Sequence, residues 1–282
     1  SCLPKTAWPP TSQHRSGGKK SHRDVAPHDR QQFILDKSAK TYTPEDLRKG
    51  VVKGDWSIVQ VNGKTPVGQE APYIKFDLNN KQVYAYNGCN HLNGSYTYKP
   101  SDKTLRFGDD MISTMRACGE TGITDMEINQ AMASVRTYSW ELRDPQFFLY
   151  LYDSKGTCVL TLMHQSFDFL NGSWAVKAID DEAVDIPDLR FVIDVNDSRV
   201  FGRGDCLSID GKLLTEMDAP NSISFQALVL TRTGNCPVTD YENDLIVAFE
   251  DAATAKPIGP TKVMLYNNHN IPVLELERIK IK

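Results

Sequence analysis

The strongest constraint in this sequence is that it describes one small unit twice. Gly54-Asp-Trp56-Ser-Ile-Val recurs as Gly172-Ser-Trp174-Ala-Val-Lys, and Phe76-Asp-Leu-Asn-Asn-Lys-Gln-Val-Tyr84 recurs as Ile193-Asp-Val-Asn-Asp-Ser-Arg-Val-Phe201. Cys89 falls where Cys206 falls, Cys118 where Cys236 falls, and Thr124-Asp-Met-Glu127 where Thr239-Asp-Tyr-Glu242 falls. Tyr152 with Val159-Leu-Thr-Leu162 returns as Tyr266 with Val273-Leu-Glu-Leu276. The offsets stay between 114 and 118 residues and keep their order, so a chance match at one place does not explain the rest. The reading is a disordered tether over residues 1–49, a first domain over 50–166 and a second, divergent one over 167–282.

Each unit reads as a meander of strands with one helix. Asn79-Asn80-Lys81-Gln82 and Asn196-Asp197-Ser198-Arg199 are turn signals between short apolar strands. Thr-Asp-x-Glu is a capping box, which predicts helices that start near Thr124 and Thr239. Ile128, Ala131, Met132 and Val135 then share a helical face, as do Leu245, Ala248, Phe249 and Ala252. Trp56 and Trp174 open the first strand of each unit and read as core anchors. The expected class is α+β: two tandem domains, each an antiparallel, partly barrel-like sheet packed with one main helix.

The chain has 282 residues and a net charge of -4, which argues against a global basic field for nucleic acid. No apolar run approaches the roughly 20 residues of a membrane span. The segment Ser12 to Arg23 is polar and basic and lacks apolar mass to offset its ordering entropy. A short helix is expected near Pro44–Arg48. Ser1-Cys2 resembles the end of a bacterial lipoprotein signal peptide, which would make Cys2 a lipidated residue and the anchor to a membrane. An incidental free cysteine is the alternative.

Asn87-Gly-Cys-Asn-His-Leu-Asn-Gly-Ser-Tyr-Thr-Tyr98, then Leu105-Arg-Phe107, then Ser113-Thr-Met-Arg-Ala-Cys118, then Glu127 on a helix, form a distinctive series. It resembles the META domain, also called the HslJ heat-shock family. Arg116 interrupts the family's Met-Ala-Cys element, and the second unit, with Gly204-Asp-Cys-Leu207, matches only through the repeat. The resemblance implies a compact sheet with one packed helix and a place in the bacterial cell envelope, on the outer membrane or its periplasmic face.

Four loop residues, Asn87, Asn90, His91 and Asn93, are candidates to bind a ligand, although Asn and Gly also suit a purely structural turn. Cys89 and Cys118 admit three readings. A disulfide would close a loop of about 30 residues and add roughly 3 kcal/mol. Zinc would use Cys89, His91 and Cys118 but lacks a fourth ligand. Nucleophilic chemistry would pair Cys89 with His91 but lacks an orienting group. Cys206 and Cys236 repeat the first pair, whereas Pro272 holds the place of Cys158, which is expected to be unpaired. Arg203-Gly-Asp205 matches an adhesive tripeptide too short to carry weight. Asp109-Asp110 and Asp180-Asp181-Glu182 read as solvated loops, and Asn93-Gly-Ser and Asn171-Gly-Ser as glycosylation acceptors only in a eukaryotic secretory host.

No metal, cofactor or catalytic residue is assigned. The function expected is a non-enzymatic envelope lipoprotein that binds an unknown protein or small molecule or serves in envelope stress. A thiol-dependent enzyme using Cys89 and a secreted protease-inhibitor-like protein are the alternatives.

Overall fold

The computed structural model describes Cys2 and residues 42–67, 70–119, 122–186, 189–215, 220–237 and 239–280. The expected disorder of the N-terminal tether falls on residues outside this set. The tether's expected end at residue 49 is corrected. Helix α1 (Pro44–Arg48) opens the first domain, and Tyr42, Leu47 and Val52 lie in its core. Thr43 caps α1 with a capping box completed by Asp46. Asp46 takes the place that Glu or Gln usually holds in such a box.

The first sheet contains β1 (Gly54–Val61), β2 (Tyr73–Asp77), β3 (Gln82–Tyr86), β4 (His91–Lys99), β5 (Thr104–Phe107), β6 (Ile112–Ser113), β7 (Thr137–Arg143), β8 (Gln146–Tyr152) and β9 (Cys158–Gln165). Every pairing is antiparallel, and all strands but β6 lie on a ring. The ring closes where Thr104 of β5 faces Thr137 of β7. Helix α2 (Gly122–Ser134) lies against β1, β5 and β9. Its Ile128, Ala131 and Met132, and Val135 just beyond it, are buried in the same cluster as Trp56, Phe76, Tyr96 and Phe147. Strand β8 is apolar on both faces: Phe147, Leu149 and Leu151 join that core, while Phe148 and Tyr150 join a small outer cluster with Cys2 and Met163.

The second sheet contains β10 (Gly172–Ile179), β11 (Glu182–Ala183), β12 (Phe191–Asp194), β13 (Arg199–Arg203), β14 (Leu207–Leu214), β15 (Ser224–Arg232), β16 (Thr254–Pro257), β17 (Lys262–Tyr266) and β18 (Pro272–Arg278). The order is β15-β14-β13-β12-β10-β18-β17-β16, with β11 on β10. Apart from β6, β11 and the β15–β16 seam, each strand has the neighbours of its counterpart in the first sheet. Here the seam between β15 and β16 has no ladder; a bond from the Ile223 amide to the Ala253 carbonyl, 2.9 Å, reaches across. Helix α3 (Tyr241–Asp251) buries Leu245, Ala248 and Phe249 into the core.

The agreement extends to irregularities. Register shifts occur between Ile58 and Gln60 and between Val176 and Ala178. Lys81 and Ser198 have φ of 54° and 53°, and the Asp77 and Asp194 carboxylates accept from the Asn80 and Asp197 amides. Both helices begin within two residues of the expected Thr124 and Thr239, but the expected threonine caps are corrected. α2 begins at Gly122, which places Thr124 inside the helix rather than at its cap. α3 begins at Tyr241 after Asp240, and the Thr239 hydroxyl donates to the Glu242 carboxylate, which also pairs with Arg232.

Asn221 links the two sheets. Its side-chain oxygen accepts from the Gln165 amide at 2.6 Å, and its amide donates to the Ser57 hydroxyl at 2.8 Å and the Met163 carbonyl at 3.1 Å.

Candidate functional site

The loop that leaves β3 turns back into β4 over Gly88, whose φ of +93° suits glycine. Asn87 makes this turn rigid. Its oxygen accepts from the amides of Cys89 (3.1 Å) and Asn90 (2.7 Å), and its side-chain amide donates to Asn129 of α2 at 2.9 Å. Asn90 does the same across the loop. Its oxygen accepts from the Thr114 hydroxyl (3.0 Å) and the Arg116 amide (2.7 Å), and its amide lies 3.5 and 3.3 Å from the sulfurs of Cys89 and Cys118. Both asparagines are buried. Their donors and acceptors are engaged in holding the 112–118 segment and α2 to the end of the barrel.

His91 and Asn93 part company with them. Both are exposed on the outer face of β4, where the His91 ring packs on Tyr86 with centroids 4.9 Å apart. The structure therefore brings Asn87 and Asn90 into one network with the cysteines and leaves His91 and Asn93 outside it.

Cys89 is bonded to Cys118, with Cα atoms 5.9 Å apart, and Cys206 to Cys236 at 5.6 Å. Among the described residues, no group of three or more His, Cys, Asp and Glu side chains is placed to hold a metal ion. A carboxylate does approach the first bridge: Asp125 Oδ2 lies 3.7 Å from Cys118 Sγ, and its Oδ1 is buried without a hydrogen-bond partner among the described residues. The expectation that Cys158 is unpaired is corrected. It is bonded to Cys2, Cα to Cα 5.6 Å, where the outer cluster of Phe148, Tyr150 and Met163 encloses the bridge. A lipid thioether on Cys2 would need the sulfur that this bond uses.

Two further arrangements, invisible as motifs, frame the barrel end. Three tyrosines hold the segment before β1: Tyr138 donates to the Gly50 carbonyl (2.5 Å), Tyr42 to that of Val51, and Tyr96 to that of Val52 (2.9 Å). Burial pushes the Tyr138 hydroxyl up to about 12. Beside them His164 is buried, packs on Trp56 at 5.5 Å and hydrogen-bonds the Asp55 carbonyl through Nδ1 at 2.7 Å. Burial lowers its pKa to about 4, so the ring is neutral at pH 7.

A closed antiparallel barrel packed with one helix and braced by an Asn-Cys loop defines the class. Residues 49–166 match the META domain. No curated protein matches the chain. Among solved structures, a protein from Burkholderia xenovorans is 17% identical, with 54% of this chain and 99% of that one covered and a TM-score of 0.34. A DUF4847 family protein from Bacteroides vulgatus is 12% identical over 41% of this chain and 95% of that one, TM-score 0.28. A DUF3598 family protein of unknown function from Nostoc punctiforme is 13% identical over 83% and 98%, TM-score 0.19.

Proposed function

We propose that this chain is an exported cell-envelope protein in which a META domain is followed by a divergent META-like copy, and that it acts by surface recognition rather than catalysis. The observation that carries the reading is the filling of both interiors. Trp56, Tyr96, Phe147 and Ile128 in one sheet, and Trp174, Phe191, Phe249 and Leu245 in the other, occupy the space where a lipid or small-molecule cavity would lie. Recognition then falls to the outer faces. Three disulfides support an oxidising compartment. The shared strand order and the shared bulges support duplication.

The test is to block thiols in intact producing cells, fractionate, and take the mass of the protein. The reading expects export and six cysteines in disulfides. A cytosolic protein with six free thiols would contradict it. The same mass separates a Cys2–Cys158 bond from a lipidated Cys2. A thiol-dependent activity at Cys89 is the second reading, favoured by the Asp125 contact with Cys118. It requires a fast-reacting, low-pKa Cys89 once the bridge is reduced.

A further inference from the structure

The outer face of β12, β13 and β14 carries a concavity of about 550 Å³ whose walls include Arg190, Arg199 and Arg203 around Phe201. In a chain of net charge -4, this is a local reversal of sign. The three arginines are not equivalent. Arg199 is accounted for within the protein: it pairs with Asp210 at 3.7 Å and lies 4.7 Å from the centre of the Phe201 ring. Arg190 and Arg203 have no ion-pair partner among the described residues, and both are exposed.

Val192 faces Phe201 across β12 and β13, and Arg190 and Arg203, two residues before the one and two after the other, both line the concavity. Strand separation is small here: a Cβ on Gly202 would sit 2.1 Å from the Arg190 carbonyl oxygen. Like charges lining one concavity repel, and neither arginine has an ion-pair partner among the described residues to offset the repulsion. Two guanidiniums lining one concavity offer planar sets of donors suited to the oxygens of a carboxylate or phosphate. Next along the same face come Phe201 and Val192, which offer apolar surface to whatever is joined to that oxyanion.

We propose that this face binds a small oxyanion carried on an apolar ring, with Arg190 and Arg203 holding the oxyanion and Phe201 the ring. The proposal deepens the surface-recognition reading and rests on it. A volume of about 550 Å³ is within the range of small-ligand sites. No covalent step is involved.

The test is a titration of the full chain, followed by backbone amide NMR, with benzoate, phenyl phosphate and inorganic phosphate. Benzoate and phenyl phosphate separate the two sources of oxyanion, and saturable shifts at Arg190, Phe201 and Arg203 with either one support the site. Inorganic phosphate should bind about tenfold more weakly than phenyl phosphate, because it has nothing to lay on Phe201. The R190Q/R203Q double variant should lose at least about tenfold for both aryl ligands, while F201S should bring phenyl phosphate down to inorganic phosphate. All three positions are exposed, and an unchanged thermal transition verifies that the variants fold. No saturable shift with either aryl ligand, or equal affinity in R190Q/R203Q, would overturn the site and leave surface recognition standing. Saturable shifts confined to the interior around Trp174 would overturn both.

Discussion

The two sheets place different chemistry in the same slot above the same residue. Trp56 opens β1 and Trp174 opens β10, each buried, each donating its indole N–H to a carbonyl just upstream, Lys53 at 2.8 Å and Leu170 at 2.7 Å. Over Trp56 lies the neutral His164, and three tyrosine hydroxyls hold the entering chain. Over Trp174 lies Arg278, 4.4 Å from the ring centre, whose guanidinium alone donates to the Phe169 and Asn171 carbonyls at 2.8 Å each. One barrel end is secured by several neutral groups and the other by a single charge. The same backbone geometry thus tolerates two solutions, provided the upstream carbonyls are satisfied and the indole is covered.

The tryptophans are the common element, so their loss should be the largest effect and should not distinguish the halves. Trp56→Ala and Trp174→Ala should each cost about 3–5 kcal/mol in denaturant unfolding. A loss under about 1 kcal/mol at either would show that the tryptophan does not anchor its core.

Acid should separate the halves. The His164 pKa falls from 6.5 to about 4 on folding, so the unfolded chain takes up the proton first. Its stabilising contribution is complete above pH 6.5 and declines as pH falls toward 4, by up to about 3 kcal/mol. Calorimetry between pH 7 and 4.5 should show a weakening of the first half that disappears in His164→Gln, whatever that variant's absolute stability. An unchanged slope in the variant would assign the acid effect elsewhere.

Smaller effects sharpen the contrast. Arg278→Lys keeps the charge but not the planar fork, and should cost about 2 kcal/mol. Tyr138→Phe removes one of three parallel contacts and should cost about 1 kcal/mol. Equal losses would mean that the arginine contributes no more than one hydroxyl.

How much of this was legible follows from what repetition can and cannot encode. The apolar faces Ile128–Val135 and Leu245–Ala252, the two tryptophans and the Asn-rich turns announced themselves because their spacing is local. The caps did not, because Arg232 pairs with Glu242 and α2 begins before its Thr. The Cys2–Cys158 bond joins residues 156 apart, and nothing in the repeat points to it, since Pro272 stands at the second position. The substitution of His164 by Arg278 was visible only as a mismatch at equivalent strand ends. The four loop candidates were legible as a turn, but the division between buried Asn87 and Asn90 and exposed His91 and Asn93 depends on how β4 pairs with β3.

The central claim is that the second half is a divergent copy of the first, despite its open seam. Inter-strand NOEs on the full-length protein test it most directly. Duplication requires the same neighbour order in both halves away from the seam, with contacts linking Ser173 to Val192 and Val192 to Phe201, and β10 to β18 as β1 to β9. A second half with a different strand order, or one sheet running continuously through both halves, would contradict it.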